Sequence, residues 1–253
     1  MINELQKSIL ECFNKDTFIF DEDKHKYTLD GAEFISVTTL INEFIKPFDE
    51  DYWSKIKAEE RGITQKAILE EWHQKNVHSN VLGTSIHAWI ENYFKQQWQP
   101  LPNDIEQIDR INKFNIIFSE KLYKMTPLLF ETKVFSKKWK IAGTIDALFQ
   151  YNDKLIIFDW KTNKDFITDS DRRGRFEKLL PPFDSFYKNH LNEYSIQLSL
   201  YRMILEEYGF DVSCCYLCHI PPKNCGDANI YKTKDMREYI SKYLSDRDDL
   251  RYN

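Results

Sequence analysis

Asp146, Asp159 and Lys161 are the residues whose types and spacing most plainly suggest chemistry. They fall in the stretch 140–161, KIAGTIDALFQYNDKLIIFDWK, where apolar runs from Ile141 to Phe149 and from Leu155 to Phe158 flank the polar break Tyr151-Asn152-Asp153-Lys154. β-Branched and aromatic content on both sides of turn residues predicts a β-hairpin. With Asn152-Asp153 as the loop, Tyr151 opposes Lys154 and Asp146 opposes Asp159, unless a bulge shifts the register by one. Lys161, two residues beyond Asp159, shares its face. Opposed carboxylates repel, and a partly buried carboxylate is costly unless it is paired or bound to a metal. Ile145, Leu148, Ile156, Ile157 and Phe158 make both faces of the hairpin look covered, so something must compensate the two aspartates. A divalent cation would do so: Mg²⁺ takes carboxylate oxygens and keeps waters for a phosphate substrate. Lys161 would then bring positive charge to a developing phosphoryl anion or an attacking water.

The remaining elements must position these groups. Residues 18–35 read as a small hairpin turning near Asp30-Gly31, followed by an apolar-periodic segment from Leu40 to Phe44 with Ser36 or Thr38 as its N-cap. Residues 51–75 are helix-like and charged, with a break at Gly62. Residues 83–96 form a helix with a stripe of Ile86, Ile90 and Tyr93 or Phe94, and His87 and Glu91 on the adjoining face. A second amphipathic helix covers 104–124, and residues 128–136 form a strand on which Glu131, Lys133 and Phe135 share a face. A long irregular segment, 163–192, carries Arg172, Arg173, Arg175, Lys178 and Pro181-Pro182. Residues 193–208 are a strong helix that aligns Gln197 with Tyr201; 212–220 and 229–232 are strands, and 233–245 is a closing helix.

At 253 residues the chain can bury one substantial core, and no repeat or linker divides it. A net charge of −5 excludes a general polyanion binder, so any nucleic-acid contact requires a local basic groove. No apolar run of about 18 residues is present, and the N-terminus MINELQKSILECFNK lacks the pattern of a secretion signal. Five cysteines, four of them between 214 and 225, do not resemble a disulfide framework, so a reducing cytoplasm is the expected compartment.

The ordered set His87, Glu131, Gly143-x-x-Asp146, Asp159-Trp160-Lys161 and Gln197-x-x-x-Tyr201 resembles the RecB-type exonuclease branch of the PD-(D/E)xK nucleases. Ser36-Val37-Thr38 ahead of Gly83-x-x-x-His87 is also similar to the mitochondrial genome maintenance exonuclease and to phage and viral relatives. The resemblance spans roughly 27–232. It implies an α/β fold with a restriction-endonuclease-like core: a central mixed sheet with a catalytic hairpin, flanked by helices. It also implies a single nuclease domain over 1–253, with an N-terminal elaboration (1–80), a catalytic core (81–232) and a closing helix (233–253). By resemblance, Asp146, Asp159, His87 and the Trp160 carbonyl would hold Mg²⁺ or Mn²⁺, and Lys161 would position the attacking water. Glu131 would be a supporting or second-metal acid, and Gln197, Tyr201, Ser36 and Thr38 would contact substrate. Beside two aspartates, Lys161 reads first as a charged stabiliser rather than a base.

Some relatives tie an iron–sulfur cluster with cysteines. Here Cys215 and Cys218 would point to opposite faces of one strand, so no cluster is expected. The function implied is a metal-dependent DNA exonuclease acting on single strands or ends in replication, recombination or repair. Trp89, Tyr93, Trp139 and Tyr201 are candidate stacking residues, and Lys133, Lys137, Lys138 and Lys140 are candidate phosphate contacts. The alternative is a non-catalytic nucleic-acid-binding or recombination-accessory module on the same fold. A retaining glycosidase pair fits the carboxylate spacing but not the adjacent lysine.

Overall fold

The computed structural model describes residues 3–22, 24, 26–100, 102–168 and 177–247. The segment 163–192 is therefore seen only in part, and Arg172, Arg173 and Arg175 lie outside the described residues. The architecture is mixed α/β, with helices on both faces of one central sheet.

Helix α1 (Glu4–Phe13) leads into three short strands, β1 (Phe18–Asp21), β2 (Lys26–Leu29) and β3 (Ala32–Ser36). The expected hairpin is thus a three-stranded meander, β1-β2-β3, and the turn at Asp30-Gly31 joins its second and third strands. Both turn residues have positive φ, 52° and 82°, the signature of a tight primed turn. Ser36 ends β3 and caps α2 (Val37–Asn42) by accepting the Thr39 N–H. α3 (Glu50–Arg61) stops at Gly62, whose φ of 65° closes the helix in the left-handed conformation. The helix expected over 83–96 is the second half of α4, which runs unbroken from Gln65 to Phe94. The low apolar content of its first half hid that continuity. α5 (Ile105–Ile117) ends in a π turn at Phe118–Leu122.

The core strands are β4 (Thr126–Ser136), β5 (Ile141–Tyr151) and β6 (Lys154–Lys161). α6 (His190–Glu207) starts three residues earlier than its apolar stripe suggested, because Asn189 caps it by accepting the Asn192 N–H. β7 (Val212–His219), β8 (Asn229–Lys232) and α7 (Arg237–Ser245) complete the chain. Strand order is β1-β2-β3-β5-β6-β7-β8, with β4 on the other side of β5. β3–β5 and β6–β7 are parallel, and the other pairings are antiparallel.

Period-2 alternation of the central strands sorts their side chains into two cores. Leu148, Leu155 and Ile157 pack with Ile196, Leu200 and Ile204 of α6 and with Ile240 and Leu244 of α7. Ala147, Phe149, Phe158 and Trp160 pack with Ile86 and Ile90 of α4 and with Ile111 and Phe114 of α5. Cys215 belongs to the first core and Cys218 to the second, which puts them on opposite faces of β7. No helix among the described residues is long and apolar enough to cross a membrane.

Candidate active site

The hairpin register is as the sequence indicates, Tyr151 with Lys154 and onward to Ala147 with Phe158, and there the ladder stops. Among the described residues, the edge of β5 that β6 leaves is taken up again only by β3, at Ile141 and Ala142. Between them, residues 143–146 form a window, and β6 continues instead alongside β7 through Lys161. Asp146 therefore has no ladder partner across from it at Asp159. Its Oδ2 accepts the Trp160 backbone N–H at 2.8 Å, so a side chain closes the fork in place of the ladder. This side-chain bond is the physical role of the Gly-x-x-Asp spacing at its aspartate end.

At the glycine end, a Cβ on Gly143 would stand 2.7 Å from Cε1 of Tyr201. Only a residue without a side chain lets that ring lie against the window. Tyr201 is buried, and Gln197 lies near its hydroxyl, Nε2 to Oη at 3.5 Å. Both thus stand under the window rather than in an open groove, and burial lifts the Tyr201 phenol well above its ordinary range. Ser36 is buried against Thr38 and Thr39 as the cap of α2, and it pairs with Ala142 at the far edge of the same window. Of this substrate-binding set, Thr38 alone is exposed.

His87 reaches the fork from α4. Its Nδ1 lies 3.5 Å from Asp146 Oδ2 and 3.5 Å from Glu131 Oε1, and its Nε2 lies 3.0 Å from the Trp160 carbonyl oxygen. With Nε2–H donating to that carbonyl, Nδ1 is turned toward the two carboxylates. The Trp160 carbonyl, expected to face a metal, is thus engaged by His87. Among the described residues, His87, Glu131 and Asp146 form the group of potential ligands whose donor atoms lie within 4.8 Å of one another. Glu131 enters by an unusual backbone: its φ is 46° in mid-strand, and the β4–β5 pairs run from Phe130–Ala147 to Thr132–Ile145 without it. The strict alternation expected along this strand is broken there. Glu131 meets His87, while Lys133 stands exposed with its ammonium over the Phe20 ring and Phe135 is buried.

Asp159 stands outside that trio. It is 1% exposed, and its Oδ2 meets Lys161 Nζ at 2.7 Å. Lys161 also lies 4.2 Å above the Tyr194 ring. Tyr194 was not picked out from the sequence, yet it lies three residues before Gln197 on α6 and lines the same groove as Lys161. Arg110 is a second such residue. It is buried on α5 and donates to the carbonyls of Thr162 and Ile220, both at 2.6 Å, which ties together the chain just past β6 and β7. A lone arginine on an apolar helix was the only available signal.

The electrostatics follow from burying so many charges together. Desolvation would lower the His87 pKa, but Asp146 and Glu131 overcome it and hold the imidazolium up to about 9. Burial pushes the Asp159 carboxyl up to about 6 despite Lys161, and it raises Asp146 as well. Burial also works against the Lys161 ammonium, yet Asp159, Tyr194 and Asp146 more than offset it and keep the lysine charged. Lys161 is therefore set up as a fixed cation, not as a proton acceptor.

Two depressions meet at His87 and Thr162. One, of about 920 Å³, lies between α4 and the end of β6, and the other, of about 550 Å³, continues along α4 to Glu131. Trp89, a candidate stacking residue, instead stacks on Tyr93 and packs into the α4–α5 core.

No family model matches the chain, and no curated protein matches it. Among solved structures, one described as "Crystal structure of SSO0001" aligns over 96% of this chain and 81% of its own at 14% identity, with a TM-score of 0.34. A likeness that slight carries no argument about the chemistry of the site.

Proposed function

We propose that this chain is a metal-dependent DNA exonuclease that hydrolyses phosphodiester bonds, as its resemblance to the RecB-type branch implies. The observation that carries the reading is the convergence, at the fork between β5 and β6, of a His–Glu–Asp trio with a buried Asp–Lys pair beside a groove. A scaffold that only bound nucleic acid would have no use for so many desolvated charges, each of them costly. His87, Glu131 and Asp146 offer one nitrogen and two carboxylates, a donor set that suits Mg²⁺ or Mn²⁺, with Asp159 as a further carboxylate by resemblance.

The metal, when bound, supplies Lewis acidity to the phosphate and lowers the pKa of its water. The protein's own groups do the rest. His87 keeps Nδ1 toward the metal position by donating Nε2–H to Trp160, and Asp146 fixes the fork by accepting from the same residue. Lys161, held by Asp159 and covered on one side by Tyr194, would bring a permanent positive charge to the phosphoryl oxygens as negative charge develops on them. The oxygen of water would form the new bond to phosphorus and give up its proton to solvent, the ester bond to the leaving oxygen would break, and that oxygen would take up a proton from solvent.

The test is a cleavage time course on end-labelled single-stranded and duplex DNA with Mg²⁺, Mn²⁺ or chelator. Lys161→Ala and Asp146→Ala run beside the wild type, and each is checked for fold by circular dichroism. Metal-dependent shortening that falls at least a hundredfold in either variant is expected. Cleavage that persists undiminished in folded Asp146→Ala would sink the reading, and binding without turnover under every ion would leave the non-catalytic module in its place.

A further inference from the structure

A third cavity, of about 600 Å³, opens on the other side of Glu131 from the groove. Glu131 lines both it and the depression that also borders His87, so one of the candidate ligands stands where the two cavities adjoin. Its walls come from α1 (Leu10, Phe13), from Phe18, from β4 (Phe130) and from the end of α4 (Phe94). Lys15, Lys95 and Lys133 line it, and Glu131 is the one acid among its described lining residues. In a chain of net charge −5 this is a local excess of positive charge. The lysines are exposed and only lightly committed: Lys15 donates to the Glu11 carbonyl, Lys95 pairs with Glu91, and Lys133 lies over the Phe20 ring. Each ammonium has three donors and keeps some for another anion. Phe94 and Phe130 stack flat at 4.4 Å and 10°, giving an aromatic wall beside those cations. The volume falls in the roughly 300–1,000 Å³ range of pockets that enclose small organic ligands, which a single nucleotide matches.

We propose that this cavity holds the terminal nucleotide of a DNA strand, beyond the phosphate that is cut, so that its ligand class is a nucleoside monophosphate. The proposal rests on the exonuclease reading above and gives it a length rule. A strand that enters by the groove along α4 passes the trio at the fork and ends against α1, so the cut falls one or two nucleotides from the end. The lysines hold the terminal phosphate, and the Phe94–Phe130 wall receives the base. An enzyme built this way would require an end, because α1 walls the cavity in which the strand would terminate.

The experiment has two arms. In the first, deoxyadenosine 5′-monophosphate is titrated calorimetrically into wild type and into Lys15→Gln/Lys95→Gln/Lys133→Gln. Chelator is present throughout so that no metal-borne phosphate contact contributes. The affinity should fall at least tenfold in the variant, and wild type should bind deoxyadenosine and inorganic phosphate each more weakly than the nucleotide. Equal affinity in the two proteins, or no binding to wild type, overturns the proposal. The single changes Lys95→Gln and Lys133→Gln, each expected to cost about threefold, serve if the triple variant does not fold. In the second arm, end-labelled single-stranded DNA is digested with Mg²⁺ and the product lengths are read. Wild type should release mono- and dinucleotides, and the variant a spread of longer fragments. Identical short products from both proteins overturn the proposal. If wild type does not cleave at all but loses nucleotide binding on lysine substitution, the nuclease reading falls and the nucleotide site stands.

Discussion

The two ends of the β5–β6 hairpin are built from the same pair of strands and are held by different forces. At the turn end, from Ala147–Phe158 to Tyr151–Lys154, the ladder is complete, and Phe149, Ile156, Ile157 and Phe158 are all at most 3% exposed. Each such side chain contributes about 1.5–3 kcal/mol by burial. At the fork end the ladder is gone. Asp146 substitutes a side-chain acceptor for a backbone one, and the Asp159–Lys161 pair is buried with it. A buried ion pair returns little net stability, because desolvation consumes most of its attraction. Stability is therefore lodged at one end of the hairpin, and this is what lets the other end keep groups that disfavour folding.

The contrast can be tested by damaging each end separately. Phe149→Ala at the turn end should cost about 3–5 kcal/mol in urea unfolding while leaving divalent-ion affinity within about threefold. Lys161→Met at the fork should cost a similar 3–5 kcal/mol near neutral pH, because it strands the buried Asp159 carboxylate. That loss should shrink in acid as Asp159 takes up a proton, and adding Asp159→Leu should restore most of it. If Lys161→Met were neutral at all pH values, the fork would not be a charged, desolvated end.

Gly143→Ala should cost about 1–3 kcal/mol by driving a methyl into the Tyr201 ring, a strain read by thermal unfolding.

His87 gives a pH signature. Its folded pKa of about 9 exceeds the unfolded value of 6.5, so its contribution to stability is full below pH 6.5 and is lost as pH rises to about 9. Chelated wild type should lose stability over that window, and His87→Gln should flatten the slope. A metal must displace the same proton, so calorimetry in buffers of different ionisation enthalpy should show close to one proton released per ion at pH 7.

The smallest effect belongs to the turn. Asn152 and Asp153 have φ of 49° and 61°, so Asp153→Gly should stabilise by about 0.5–1 kcal/mol, since glycine occupies such angles without strain.

The hairpin, its register and its turn were legible in the sequence because apolar runs and turn residues are local signals. Gly62 and the Asp30-Gly31 turn were legible for the same reason. The fork was not, because a ladder that stops depends on β3 taking the edge of β5 at Ile141 and Ala142 and on β7 carrying β6 onward along its other edge, and these strands are distant in sequence. Gln197 and Tyr201 illustrate the same limit. Helical spacing put them on one face, but whether that face met solvent or the backbone at Gly143 was decided by the sheet. Tyr194 and Arg110 went unnoticed because a single tyrosine or arginine on a helix carries no pattern. The full length of α4 was missed because residues 73–81 are all exposed and carry no apolar stripe to read.

Glu131 bears on how this chain would drift under mutation. At a φ of 46° glycine is the least strained residue, and asparagine or aspartate tolerates the angle better than glutamate does. Replacement by glycine, asparagine or aspartate there would relax the backbone. The glutamate thus meets His87 against the preference of the peptide that carries it. Among sequences of this fold, a glutamate at position 131 is then expected where the proposed metal site is kept, and a glycine or asparagine where it is not.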